Sequence, residues 1–454
     1  MKIDASIFKA YDIRGIYPDQ LNEDLFYGLG HAYVSVVNPQ GEVMVGHDVR
    51  VYSEPLKKSL IEGLTDAGVN VVDVGLISTD MYYFGVGNFD FAGGIQVTAS
   101  HNPPEWHGAK MVREKVIPLT LETGVSQIRD FIEKGVFEKK QKGSVRKIDI
   151  VDDYCKFVLN WVDIKKIKPM KIVYNPNFGF AGKVFERLIE LGNLPLTIIP
   201  LNAEPDGTFP KGRPDPFMPE NRVEFIELVK SEDADLGITW DADADRVFFC
   251  ADGGVFLEPY YMNAILIEAI LKKHPSEKII YDPRYTWALI DSIKTNGGTP
   301  VLERVGHSYI KQRMRKEDAY FGGESSGHEY YRDFWYADSG MLPVVQVLEY
   351  VSEHSKKLSE IARVWINKYV ISGEINTKVT DVDMVMELIK AKYGDGKQEF
   401  VDGISVEYGD YRFNVRSSNT EPLLRLNLEA RTKDVMEKKR DEVLSLITQY
   451  AIKE

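Results

Sequence analysis

The chain has 454 residues, 44% hydrophobic and 28% charged, proportions that exclude a disordered protein and a length that exceeds one hydrophobic core. A net charge of −13 excludes a general binder of nucleic acid or acidic membrane, since either needs a basic face, while leaving room for arginines gathered around an anionic ligand. Cys155 and Cys250 are the only cysteines and lack metal-ligand spacing, and no stretch is long and apolar enough to span a bilayer, so a cytoplasmic protein without a disulfide framework is expected.

Along the chain the same order of elements recurs three times. The first unit opens with the apolar run Val43-Met44-Val45-Gly46, reaches His47-Asp48, becomes helical from Ser53 to Ala67, and passes Gly68 into a strand over 69–74. Ile172-Val173-Tyr174-Asn175 opens a second unit, followed by a helix through Val184 and Leu188, then Gly192 and a strand over 196–201. Ile279-Ile280-Tyr281-Asp282 opens a third, with a helix through Ala288 and Ile293, Gly297-Gly298, and a strand at 300–302. Apolar runs alternating with helical periodicity predict βαβ units and mixed, mostly parallel sheets. Three copies predict three similar α/β domains. Residues 139–147 read as a linker, and the pattern changes after the helix at 361–369. From Ser372 the order becomes strand, helix, three short strands, helix, a smaller α+β domain. The expected divisions are 1–147, 148–253, 254–369 and 370–454.

Each repeat later sends another apolar strand into a polar loop. Phe91-Ala92-Gly93-Gly94-Ile95-Gln96-Val97 leads to Thr98-Ala99-Ser100-His101-Asn102-Pro103, Leu236 to Trp240 leads to Asp241-Ala242-Asp243-Ala244-Asp245-Arg246, and Ala319-Tyr320-Phe321 leads to Gly322-Gly323-Glu324-Ser325-Ser326-Gly327-His328. Open α/β sheets bind ligands beyond the carboxyl ends of their strands.

Asp241, Asp243 and Asp245 form the strongest of these signals. Carboxylates this close need a cation to offset their repulsion, and a hard ion such as Mg2+ suits a site that also handles phosphate. An EF-hand loop is excluded: Arg246 stands where glycine is needed, and Asp252 where glutamate is expected. Ser100 fits a nucleophile, a phosphate acceptor or a turn residue equally well. No Gly-x-Ser-x-Gly elbow surrounds it. Arg416-Ser417-Ser418-Asn419-Thr420, with Arg425 nearby, supplies the donors a phosphate dianion wants, although Ser and Asn are also common in hairpins. The Gly322 to His328 segment fits either a helix N-terminus or a loop offering Glu324 and Ser326 to sugar hydroxyls, with His328 available for proton transfer. Gly28-Leu29-Gly30 begins a dinucleotide fingerprint without its third glycine, so a dehydrogenase has no anchor.

Taken in order, Tyr11-Asp12-Ile13-Arg14-Gly15, Thr98 to Pro103, Asp241 to Arg246, Gly323 to His328, and Arg416 to Pro422 resemble the α-D-phosphohexomutase family, in particular its phosphomannomutase/phosphoglucomutase branch. The resemblance covers nearly the whole chain. It implies four domains around a central cleft, and interconversion of hexose 1-phosphate and hexose 6-phosphate through a phosphorylated Ser100 and a hexose 1,6-bisphosphate intermediate, which also serves as activator. Asp241, Asp243, Asp245 and a phosphoserine oxygen would hold magnesium. Arg14 and Arg246 would steady the transferring phosphate with Tyr11 nearby, and Lys110 and His328 would move protons. Glu324 and Ser326 would hold the sugar, Arg284 and His307 would line the cleft, and Arg416, Ser417, Ser418, Asn419, Thr420 and Arg425 would bind the phosphate that is not reacting. Mannose phosphates are the expected substrates, with glucose phosphates second, for a monomer or weak homodimer. A phosphoglucosamine mutase and a metal-dependent sugar phosphatase are the alternatives. Ser78-Thr79-Asp80 stands where the family often has a Thr-Pro pair, Trp106-His107 replaces a more common aromatic-Asn pair, and Ser325 departs from the methionine or glutamine of its relatives, which bears on the choice of sugar.

Overall fold

A computed structural model describes residues 3–417 and 423–452. The chain divides into two compact units, the first made of residues 1–256 and 328–355, the second of 257–327 and 356–454.

In the first unit, the strands Val43–His47, Val71–Leu76 and Gly93–Val97 run parallel, as their apolar runs predict. Trp106–Arg113 returns antiparallel beside Gly93–Val97, and Asp12–Ile16 pairs antiparallel with it in turn. Residues 145–147, expected in a linker, instead extend the sheet parallel to Val71–Leu76 as an exposed edge. The helix Glu23–Val37 starts where the Asn22 side chain accepts the Leu25 N–H and two acidic residues occupy the first turn, both favourable at a helix N-terminus. Its Gly30 lies against the helix Ser53–Asp66, where a Cβ would meet Leu64 N at 2.5 Å, while a Cβ on Gly63 would meet Tyr27 O at 2.1 Å. Gly30 is therefore a helix-packing residue, which accounts for the incomplete nucleotide fingerprint.

A second sheet of the same unit sets Met170–Asn175 between parallel neighbours Leu196–Pro200 and Leu236–Trp240, with Val247–Ala251 returning antiparallel to the last. Every residue of Leu236–Trp240 and Val247–Ala251 is buried, so the acidic loop between them has rigid stems. Trp240 is fully buried, and its Nε1–H donates to Gly340 O at 2.8 Å. Gly340 N–H in turn donates to Ala244 O at 3.1 Å, bracing the acidic loop from behind.

The second unit repeats the pattern with Lys278–Tyr281 parallel to both Thr299–Leu302 and Phe321–Gly323. Its C-terminal part is an antiparallel sheet in which Tyr411–Ser417 and Leu423–Ala430 form the central pair. Alternate residues of this pair, including Phe413, Val415, Leu426 and Leu428, face the helices Val382–Lys392 and Lys433–Thr448 in one apolar core. Among the described residues the tail carries four strands between those helices, where three were expected. The extra one, Lys397–Glu399, is wholly polar and gives no hydrophobic alternation.

Candidate active site

Ser100 follows the Gly93–Val97 strand with φ at +50°, a left-handed conformation that is costly for a residue with a Cβ. The loop is held in that shape by Arg50. Its buried guanidinium donates to the carbonyl oxygens of Ser100 and Asn102, each at 2.6 Å, of Pro103 at 2.8 Å and of Trp106 at 2.9 Å. Thr98 Oγ1 also accepts the Ser100 N–H at 3.0 Å. The hydroxyl is thereby aimed at the acidic loop, where Ser100 Oγ donates to Asp241 Oδ2 at 3.1 Å.

The three predicted aspartates converge. One carboxylate oxygen from each lies within 4.8 Å of the others, and all three side chains are buried. Asp241 Oδ2 also accepts from Arg246 Nη2 at 2.9 Å. Burial nevertheless raises the Asp241 pKa, with Asp245 and Asp243 adding to the rise against Arg246. Asp243 Oδ2 accepts from Lys110 Nζ and Thr79 Oγ1, both at 2.7 Å, while its Oδ1 has no hydrogen-bond partner among the described residues. Asp245 Oδ2 takes Lys110 Nζ at 2.5 Å, and its Oδ1 faces His328 Nε2 at 3.6 Å. Buried carboxylate oxygens without a donor are costly unless a cation completes them. The donor set, three carboxylates offering only oxygen, therefore fits a hard divalent ion.

Lys110 and Arg14 reach this point by strand register. Lys110 stands opposite Asp12, and Arg14 is two residues further along the same face. Gly108 permits the pairing, since a Cβ there would lie 1.9 Å from Ile13 O. Burial works to lower the Lys110 pKa, but Asp243 and Asp245 hold it well above the usual lysine value, so its amine carries a proton at neutral pH. Arg14 donates from Nε to Asp12 and from Nη1 to Asn102 Oδ1, each at 2.7 Å. Tyr11, half-buried, directly precedes that strand. The first unit thus brings together Ser100, Lys110, Arg14, Arg246, His328 and the three aspartates.

Several contributors carried no sequence signal. Arg50 is one. Asp215 is another, pairing with Arg246 at 3.3 Å and with Arg213 at 3.0 Å, while Arg213 Nε donates to His101 O at 3.1 Å. Asp80 accepts from the hydroxyls of Ser78, of Tyr154 at 2.5 Å and of Ser339 at 3.1 Å. Burial pushes its pKa up to about 6 despite those donors. The neighbouring Thr79 holds Asp243 from both its hydroxyl and its backbone N–H, the latter at 2.7 Å to Asp243 O.

In the second unit, Asp282 clamps Arg284 from Nε at 3.0 Å and Nη2 at 2.8 Å, and also accepts the Ser325 N–H at 2.9 Å. Arg284 Nη2 lies 3.5 Å from both Glu324 Oε1 and Ser326 Oγ. Glu324 Oε1 accepts the Gly306 N–H at 3.0 Å, just before His307 opens the helix His307–Glu317. Arg284, Glu324 and Ser326 are therefore gathered, with the His307 helix tied to them. The Glu324–Gly327 stretch is a turn after a strand and opens no helix, so the capping alternative falls away. Arg416 and Arg425 stand directly opposite each other in the central strand pair. Glu374 bridges them, with Oε2 on Arg416 Nη2 and Oε1 on Arg425 Nη1, both at 3.0 Å. Ser417 ends its strand exposed, and Ser418, Asn419 and Thr420 lie outside the described residues.

Among the described residues no helix is long and apolar enough to cross a membrane. The family models for phosphoglucomutase/phosphomannomutase match in chain order: α/β/α domain I at residues 5–139, domain II at 152–254, domain III at 258–369 and the C-terminal domain at 374–446. A phosphomannomutase of Escherichia coli is 42% identical over 450 residues, covering 97% of this chain and 98% of that protein. A protein of Xanthomonas campestris pv. campestris named for phosphohexose mutases is 42% identical over 445 residues, again covering 97% and 98%. The crystal structure of a phosphoglucomutase/phosphomannomutase family protein from Burkholderia thailandensis superposes with a TM-score of 0.88 at 31% identity, covering 99% of this chain and 98% of that one. With all four domains matched and such relatives aligned end to end, the chain belongs to the phosphoglucomutase/phosphomannomutase family.

Proposed function

We propose that this family member interconverts hexose 1-phosphates and hexose 6-phosphates, with mannose phosphates as its main substrates and glucose phosphates second, through a phosphoserine at Ser100. The supporting observation is the 3.1 Å contact of Ser100 Oγ with Asp241 inside a buried cluster of three carboxylates. Phosphoryl transfer is mainly positioning and charge stabilisation, and this cluster supplies both. Asp241, Asp243 and Asp245, with an oxygen of the Ser100 phosphoryl group, would hold a magnesium ion, which when bound neutralises charge on the transferring group. Arg246 and Arg14 orient the same group, and Lys110 Nζ and His328 Nε2, both beside Asp245, are placed to hand a proton to or from a sugar hydroxyl.

The Ser100 phosphoryl group passes to the free hydroxyl of the bound hexose monophosphate, giving the 1,6-bisphosphate. After that sugar turns end for end, its other phosphate returns to Ser100. Glu324 and Ser326 hold the sugar hydroxyls, with Tyr11, Arg284 and His307 as further contacts. Arg416, Ser417, Ser418, Asn419, Thr420 and Arg425 bind the phosphate that is not reacting. On this assignment residues 1–147 carry the phosphoserine, 148–253 the metal ligands, 254–369 the sugar contacts and 370–454 the distal phosphate site.

The test presents mannose, glucose and glucosamine 1-phosphates in parallel with a bisphosphate activator, to the wild type and to Ser100→Ala. Conversion by the wild type without release of inorganic phosphate, lost in the variant, is expected. Full turnover by Ser100→Ala refutes the phosphoserine, steady phosphate release indicates a phosphatase, and preference for the amino sugar refutes the choice of substrate.

A further inference from the structure

Two guanidiniums directly opposite each other on neighbouring strands repel, and Arg416 and Arg425 occupy such a pair. Glu374 sits between them with its side chain 7% exposed, one carboxylate oxygen on each arginine. Its backbone has little freedom. Val370–Ile371 and Ile375–Lys378 both pair with the strand Leu423–Ala430, so the residue between them is pinned beside Arg425. Although burial works to raise its pKa, Arg416, Arg284 and Arg425 keep the Glu374 carboxyl below its usual value, so it is ionised at neutral pH. Two positive charges thus share one negative charge. The Nε atoms of both arginines are buried and have no hydrogen-bond partner among the described residues.

We propose that Glu374 is a positioning residue of the distal phosphate site: it holds Arg416 and Arg425 as a pair and, by offsetting one of their charges, weakens that site's grip on phosphate. This rests on the assignment of Arg416 and Arg425 to the phosphate that is not reacting. The weakening has a use. A bisphosphate that must turn over between two transfers has to leave the distal site once in every cycle. An uncompensated pair of guanidiniums would retain it. Glu374 keeps the net charge of the pair near one.

The test compares the wild type with Glu374→Gln, which keeps the shape and removes the charge. Expected are about tenfold tighter competitive inhibition by inorganic phosphate, a lower KM for hexose 1-phosphate and a lower kcat, because release from the distal site slows. Adding Arg416→Ala to Glu374→Gln should abolish the gain, which locates it at this pair. Glu374→Asp, one methylene shorter, should fall between the wild type and Glu374→Gln, and it carries the test if the amide variant does not fold. Unchanged or weaker phosphate inhibition, or a higher KM at an unchanged melting temperature, overturns the proposal and leaves Glu374 as a structural tie. Wild-type turnover in the same assay is scored separately. An inactive wild type whose Glu374→Gln variant still binds phosphate more tightly retires the mutase and keeps the role of Glu374.

Discussion

Arg50→Lys separates the shape of the Ser100 loop from its chemistry. Arg50 touches no reacting atom, yet its guanidinium donates to four loop carbonyls, those of Ser100, Asn102, Pro103 and Trp106, at 2.6 to 2.9 Å. A lysine ammonium is a single point on a flexible stem and cannot span four acceptors laid out for a planar fork. If it keeps one, three carbonyls lose a charge-assisted hydrogen bond worth about 1.5–3 kcal/mol each. Water reaching the loop after it opens recovers part of that, leaving a destabilisation of about 3 kcal/mol. Ser100 is held at φ +50°, so the released loop should relax toward an ordinary conformation and swing Oγ away from Asp241. A displacement of about 1 Å at a reacting centre costs about 10²-fold in rate. Urea denaturation, steady-state kinetics and intact mass for the Ser100 phosphate should together show moderate loss of stability, a kcat lower by about two orders of magnitude and slower phosphorylation. A lysine variant with kcat within a few-fold of the wild type would refute the view that Arg50 sets the position of Ser100, the proposed nucleophile.

Mg2+ should raise the unfolding midpoint of the wild type, by about 2.7 kcal/mol of stability at a hundredfold excess over its dissociation constant, and Asp243→Asn should erase the shift in differential scanning fluorimetry. Asp80 predicts a pH effect of definite sign. Burial raises its folded-state pKa to about 6 from an ordinary value near 3.8, so its contribution is fully present below about pH 4 and is lost as pH rises through 6. Asp80→Asn should flatten urea-determined stability between pH 4 and 6 relative to the wild type, whose loss from this group is about 3 kcal/mol. An unchanged pH slope would show that Asp80 is not the titrating group.

The strand-end loops were legible because each follows a short apolar run that breaks abruptly into polar residues, a pattern that needs no knowledge of partners. Edge strands were not. Val145–Lys147 and Lys397–Glu399 are too short and too polar to alternate, and only their neighbours make them strands. The same limit hid the supporting side chains. Arg50 finds its acceptors 50 to 56 residues away, and Glu374 lies 42 and 51 residues from its two arginines. Nothing local distinguishes such an arginine or glutamate from a solvated one. The incomplete glycine fingerprint at 28–30 failed for a related reason, since Gly30 answers to Gly63 on another helix.

The threefold repeat extends to how the functional loops are built. After the first strand of each repeat, an Asp or Asn accepts the backbone N–H two residues on: Asp48 from Arg50 at 3.0 Å, Asn175 from Asn177 at 2.9 Å, Asp282 from Arg284 at 2.8 Å. In each case the residue at the far end of that small turn reaches sideways to the loop leaving the adjacent parallel strand. Arg50 takes the carbonyls of the Ser100 loop, Asn177 Nδ2 donates to Trp240 O at 2.7 Å at the root of the aspartate loop, and Arg284 lies 3.5 Å from Ser326 Oγ. Neighbouring parallel strands end side by side, so a turn at one carboxyl end is always within a side chain's reach of the next. The same turn therefore stands beside three loops of different chemistry, and its side chain follows the load: a guanidinium where four carbonyls are gathered, an amide where the Trp240 carbonyl and the Thr239 hydroxyl suffice.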